Sequence, residues 1–315
     1  MNTAIFAVAR RRGVTLVHDP ATGLTHRAAR DLPGGRVSLR PDEVTSWPTV
    51  APRDHEEDVP ISVCWSPLVR CNLSCPHCLD DKEIREQSPA ERVRIAELIG
   101  SAGVMGVDLS GGEPLLLGGL DVLADILTAA GCVVSVTTNG WHLRRRAPAL
   151  TSHLDAVRVS LDGPTARLHD AWRGEGSFER AVDGVQAAVA AGLRVQIQTV
   201  LMASTCRNAQ RLVDLAAGLG AGGVTFLQML PIGEGRRLAH QEMIPDETAA
   251  ELIQTLSVPR PLTVRMRARE DAGGFTVIRA DGQIWRNDHP AASISTLRPL
   301  TATGDLALTG PDGSA

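Results

Sequence analysis

Three cysteines, Cys71, Cys75 and Cys78, fall within the stretch RCNLSCPHCLDDKE at residues 70–83. The chain holds six cysteines in all. Three thiols this close on one loop are badly placed to pair, so metal or redox chemistry is the better reading. Spaced by three residues and then by two, the thiolates can converge on one face of an iron–sulfur cube, whose four irons are normally held by cysteine. Three protein ligands leave one iron open to bind something else. Structural zinc would need a fourth ligand, and the candidates are poor: Cys64 lies in an apolar run, His77 is pinned inside the loop, and Cys132 and Cys206 stand alone. The same stretch carries Lys82, the one lysine of a chain that otherwise uses arginine for its cations. A site that guanidinium cannot serve and a solvated loop position both account for it.

The elements that must position this loop are strands alternating with amphipathic helices. An apolar run at 61–67 leads into the cysteines, and strands are expected at 106–110, 133–138, 156–161, 194–202 and 223–230. Helical spacing occurs at 89–102, with Ser88 as its cap, and at 120–130, 178–191, 208–218 and 246–256. Six strand–helix units in series predict an α/β fold, a partial (β/α)6 TIM barrel with a parallel sheet and right-handed crossovers. Such a barrel places its site at the carboxyl ends of the strands. Residues 1–58 predict a small β-rich segment, with a hairpin around 19–23 and a Pro- and acid-rich linker at 48–60. Residues 59–258 form the expected barrel, and 259–315 a short α+β extension with strands at 262–268, 275–279 and 283–285. The residues from 303 onward read as poorly ordered.

Composition narrows the partners. The chain has 315 residues, 43% hydrophobic and 22% charged, with a formal net charge of −4. It lacks the basic excess of a nucleic-acid binder, and no apolar run is long enough for a membrane span. The start, MNTAIFAVARRRG, places apolar residues before arginines, the reverse of a signal peptide. A cytoplasmic protein without nucleic-acid or membrane partners is expected.

The motif CNLSCPHC resembles the CX3CXΦC motif of the radical S-adenosylmethionine (radical SAM) superfamily, with His77 at the Φ position. The resemblance implies one 4Fe–4S cluster on Cys71, Cys75 and Cys78, its open iron chelating the amino and carboxylate groups of SAM. Reduction, by a flavodoxin or ferredoxin type donor, then cleaves SAM to a 5′-deoxyadenosyl radical that abstracts a hydrogen atom from the substrate. Further motifs resemble the family at the expected strand ends. LSGGEP at 109–114 implies SAM contacts from Gly111, Gly112 and the Glu113 carboxylate, the anionic partner of the SAM ammonium. TTNG at 137–140 adds Asn139. VSLDGP…HD…R at 159–173 adds Ser160 and Asp162 near the ribose or carboxylate. Gln198 shares a strand face with Gln196, and MLPIGEG at 229–235 implies adenine contacts from Met229 and Pro231. The backbone of His77 is expected to face the adenine as well.

The tail bears on the substrate. VIRADGQIWRNDHP at 277–290 resembles the start of a SPASM or twitch extension, but Asn287 stands near the expected cysteine and none follows Cys206. Auxiliary clusters are therefore expected to be absent, which favours a redox-neutral outcome such as epimerisation or decarboxylation. Similar members tailor sugars, nucleosides and aminoglycosides in antibiotic pathways, so a small polar metabolite is the expected substrate. Dehydrogenation of a sugar alcohol and modification of a ribosomal peptide are the alternatives. In a strand, Arg265, Arg267 and Arg269 share one face. They could grip a carboxylate or phosphate bidentately or form a solvated face balanced by Glu270 and Asp271. Lys82 is a candidate acid–base or carboxylate-binding group. Cys206, just past the fifth strand, is a candidate hydrogen-atom donor or else an inert thiol.

Overall fold

A computed structural model of the chain describes residues 3–79, 82–269, 275–287 and 297–308. The N-terminal strands β1 (Ala4–Arg11), β2 (Val14–His18), β3 (Thr25–Arg27), β4 (Gly35–Leu39) and β5 (Thr49–Val50) form an antiparallel sheet in the order β4-β1-β2-β3-β5. The expected hairpin joins β2 to β3, with Gly23 N donating to Asp19 O at 2.8 Å. Side chains alternate between the two faces of the sheet. Phe6, Val8 and Val17 pack with Leu39, Val44 and Trp47 on one side. Ala7 and Leu16 pack on Ile61, Met105 and Val133 on the other. Those last three lie at the starts of barrel strands, so the small sheet lies across the amino ends of the barrel.

The second sheet contains β6 (Ser62–Trp65), β7 (Gly106–Leu109), β8 (Val133–Thr138), β9 (Ala156–Ser160), β10 (Val195–Leu201), β11 (Gly223–Gln228) and β12 (Thr263–Arg267), neighbours in that order and all parallel. β13 (Phe275–Ile278) pairs parallel to β6 on the other edge; β14 (Gln283–Asn287) and β15 (Arg298–Pro299) continue antiparallel beyond it. The expected α/β barrel is present. It is larger than its six predicted units, because β12 and β13, assigned from the sequence to the extension, supply two further parallel strands. Each edge strand brings one side chain to the seam: the Arg267 guanidinium lies 3.9 Å from the centroid of the Phe275 ring.

The helices cover the outer faces of the strands and follow local signals. Pro89–Ser101 begins with Ser88 accepting from Glu91 N while the Glu91 carboxylate accepts from Ser88 N, a complete capping box. Leu120, Leu123, Ala124 and Leu127 form the buried stripe of Leu120–Ala129. Two helices beyond the sequence expectation, Leu143–Leu150 and Ala166–Arg173, follow β8 and β9. The segment 48–60 is packed rather than a free linker, since buried Glu56 accepts from Ile61 N and from Arg286. Residues 303–306 form a 3-10 turn with Leu306 buried, and Leu308 N donates to Asp58 O, against the expectation of disorder there. Residues 309–315 lie outside the described residues. Among the described residues no helix is long and apolar enough to cross a membrane.

Candidate active site

A cavity of about 860 Å3 occupies the barrel interior, within the roughly 300–1,000 Å3 of small-molecule sites. Cys71, Cys75 and Cys78 stand half-buried at its mouth, on the loop that leaves the carboxyl end of β6. None is in a disulfide, and among the described residues no three His, Cys, Asp or Glu side chains converge on one metal ion. The sequence spacing of the three, x3 then x2, suits thiols that each bind a different iron of a cluster. Burial pushes the Cys71 and Cys75 thiols up from their ordinary pKa, so ionised ligands there call for positive charge. Arg173 supplies some of it: it lines the cavity and acts electrostatically on both Cys75 and Cys78.

The loop is held from three sides. Gly112 N donates to Leu68 O at 3.0 Å and Glu113 N to Arg70 O at 2.9 Å. A Cβ on Gly112 would lie 2.2 Å from Arg70 O, so the glycine is required by the stem of the cysteine loop. The sequence reading had attributed the glycine pair to the approach of a ligand; here the close neighbour is the protein's own backbone. On the second side, Asn139 Nδ2 donates to Asn72 Oδ1 at 2.9 Å and lies 3.8 Å from Cys71 Sγ. On the third, Glu234 N donates to Cys78 O at 3.0 Å, and Gly233 packs where a Cβ would meet Cys78 O at 2.6 Å.

Beneath the loop lies a buried ionic cluster. Asp162 is 2% exposed and receives Arg173 Nε at 2.5 Å, His77 Nε2 at 3.1 Å and Val200 N at 2.9 Å. Burial alone would raise its pKa, but Arg173 and His77 outweigh that and hold the carboxyl well below the usual range. Asp162 N donates to His169 Nδ1 at 3.0 Å, and burial with Arg173 lowers the His169 pKa to about 4. Deeper in the barrel, Asp108 pairs with Arg158 at 2.6 Å and accepts from Ser135 and Thr137, each at 2.7 Å.

The expected site residues separate into two groups. Gly111, Gly112, Asn139, Ser160, Gln198, Met229, His77, Lys82, Arg265 and Arg267 line the cavity with the three cysteines. Glu113, Asp162, Pro231, Cys206 and Arg269 do not. Glu113 is 0% exposed, and its oxygens accept from Thr138 Oγ1 at 2.6 Å, Asn139 N at 2.8 Å and Leu115 N at 3.0 Å. Burial raises its pKa against those bonds. It ties the end of β8 to the turn after β7. Asp162 is spent on the ionic cluster. Cys206 Sγ donates back to Ala203 O at 3.3 Å, within its own short helix. Arg269 leaves the strand face and binds Ile244 O and Asp246. Glu270 and Asp271, its expected balancing acids, lie outside the described residues. Among the described residues, Lys82 Nζ makes one long contact, 3.4 Å, to Ser74 Oγ.

Sequence reasoning missed Arg173, Arg158 and Asp108. Arg173 closes the quoted HD…R pattern, eleven residues after Asp162. Arg158 and Asp108 are charges inside otherwise apolar parallel strands, a position where burial demands a partner.

Residues 65–215 match the model of the radical SAM superfamily. Over that stretch the chain is similar to a family that uses a 4Fe–4S cluster and S-adenosylmethionine. Mycofactocin maturase MftC of Mycobacterium tuberculosis is 34% identical over 187 residues, 56% of this chain and 47% of that protein. GTP 3′,8-cyclase of Pelotomaculum thermopropionicum is 31% identical over 216 residues, 65% of each. The fold is similar to Streptococcus suis SuiB bound to S-adenosylmethionine, with a TM-score of 0.57 at 17% identity over 72% of this chain and 60% of that one. The chain spans about half the length of the first of these relatives and under two thirds of the other two.

Proposed function

We propose that the chain is a radical SAM enzyme acting on a small anionic molecule held in the barrel. The observation that carries this reading is three thiols of one loop at the mouth of a single 860 Å3 cavity whose wall includes Arg265 and Arg267. Cys71, Cys75 and Cys78 are the cluster ligands. Gly111, Gly112, Asn139, Ser160, Gln198, Met229 and the His77 backbone surround the SAM position, while Glu113, Asp162 and the 231–235 segment hold these groups in place. A cluster and SAM bound there would supply hydrogen-atom abstraction from the substrate. The protein's own residues orient the substrate anion and exclude water. A flavodoxin or ferredoxin type protein in the cytoplasm is the proposed electron source.

Cys64, Cys132 and Cys206 are scattered along the sequence, and the outcome we favour is redox-neutral. Decarboxylation of a uronic-acid nucleoside or epimerisation of a sugar meets that condition, in the manner of antibiotic tailoring. A second reading, modification of a peptide, draws support from the relative named a mycofactocin maturase. The test is anaerobic reconstitution and reduction, with 5′-deoxyadenosine followed by mass spectrometry. Candidate anionic sugars and nucleosides should raise its yield. A yield raised only by a precursor peptide would select the second reading, and no 5′-deoxyadenosine at all would remove both.

A further inference from the structure

The amino-end face of a barrel ordinarily serves stability. Here the turn at residues 19–24 enters the cavity from that face, and His18, Pro20, Thr22, Gly23, Leu24 and Thr25 line it together with Arg158 and Arg265. A Cβ on Gly23 would lie 3.3 Å from Nη2 of Arg158 and 3.8 Å from Nη2 of Arg265. Two guanidiniums from different strands therefore converge on one point over a residue that has no side chain. Arg158 is 7% exposed; its Nε and Nη2 donate to Ala21 O and Pro20 O at 3.0 and 2.5 Å, which fixes its plane against the turn. Arg265 Nε is steadied by Thr225 Oγ1 at 3.3 Å. The neighbouring His18 is buried, bonds Thr25 Oγ1 through Nδ1 at 3.1 Å, and is held neutral, at about 4, by burial and by both arginines. Arg158 already pairs with Asp108 at 2.6 Å, so an anion at this point shares that guanidinium with a carboxylate and gains charge-assisted hydrogen bonds from both arginines.

We propose that the floor of this chamber is an anion site, built jointly by Arg158, Arg265 and the 19–24 turn, which holds the phosphate or carboxylate end of the substrate. The N-terminal sheet is then part of substrate recognition as well as a plug. Arg158 lies two residues before Ser160 at the mouth of β9, about 7 Å along the strand. An anion held at this depth, with the reacting end of the molecule toward the cysteine loop, suits a sugar phosphate or a nucleoside acid. This inference rests on the proposed radical SAM reading for the word substrate, but the site itself is measurable without it.

The experiment is calorimetric titration of the purified full chain with inorganic phosphate and, in a separate arm, with acetate. Saturable binding of one of them is expected, and the tighter arm identifies the group. Arg265→Met should weaken it by about tenfold or more, and Arg265→Lys, which keeps charge but loses the fork, by an intermediate factor. Arg269→Met, outside the cavity, should match the unaltered protein, and circular dichroism checks that each variant is folded. Absence of saturable binding to the unaltered chain, or equal affinity in folded Arg265→Met, overturns the floor site while leaving 5′-deoxyadenosine formation as a separate result. Anion binding in a protein that forms no 5′-deoxyadenosine would retain the site and remove the radical reading.

Discussion

His77 Nε2, inside the cysteine loop, lies 3.1 Å from Asp162 Oδ2, at the end of the fourth barrel strand. Arg173 binds the same oxygen. One buried carboxylate thus fastens the loop of three thiols to the barrel and aims a guanidinium at two of them. Asp162→Asn leaves Arg173 buried without its counter-charge, a change worth about 3–5 kcal/mol. The expected result is a markedly lower thermal midpoint and reduced iron uptake on reconstitution, checked by calorimetry and iron analysis. Unchanged iron content would remove the positioning role.

Cys71→Ala, Cys75→Ala and Cys78→Ala should each abolish the charge-transfer absorption of a reconstituted cluster. Cys206→Ala should retain it, because Cys206 points at its own helix. Visible spectra of the four variants decide the matter, and equal loss in Cys206→Ala would contradict the geometry.

Gly112 and Gly118 separate crowding from mere flexibility. A Cβ at Gly112 meets backbone oxygens at 2.2 and 2.4 Å, whereas at Gly118 nothing lies within 4 Å. Gly112→Ala should displace the loop stem and lower both stability and iron content. Gly118→Ala should stay within about 0.5 kcal/mol of the parent protein. Paired urea melts test the difference.

Acid stability has a defined direction. His18 and His169 are both held at about 4 by burial and nearby arginines, below the ordinary 6.5. The unfolded chain therefore takes up more protons between those values, and stability falls as pH drops from 6.5 toward 4. Each histidine contributes at most about 3 kcal/mol over that window. Below it, the depressed carboxyls Asp19 and Asp162 add a further loss as they protonate. Chemical melts from pH 7 to 4.5 should show the decline, and His18→Asn should flatten it.

Much of this was legible in the residues, and the gaps have physical reasons. Strands such as 133–138 were clear because apolar runs ended in TTNG-like turns, and Ser88 announced its helix through a real capping box. The helix Leu143–Leu150 was hidden by Pro148 and by three successive arginines, which blur its apolar stripe. The strand ends of the site were readable as motifs, but which way a side chain turns was not. Glu113 and Asp162 sit where the motifs place them, yet tertiary contacts from Thr138, His77 and Arg173 claim their oxygens. Arg269 was lost from its expected face because β12 ends at Arg267. The Arg158–Asp108 pair needed two strands at once, information that no single stretch of sequence holds.

The pairing of β13 with β6 has a consequence for how the molecule is made. Thr276 sits opposite Val63, so the first barrel strand waits for a segment synthesised about two hundred residues later before its outer edge is filled. Until then Ser62–Trp65 is an apolar strand with open hydrogen-bonding groups, the kind of edge that recruits other chains. Nascent protein should therefore depend on holding chaperones until residue 275 has emerged, and a ribosome stalled before that residue should carry a chain that is soluble only while tethered.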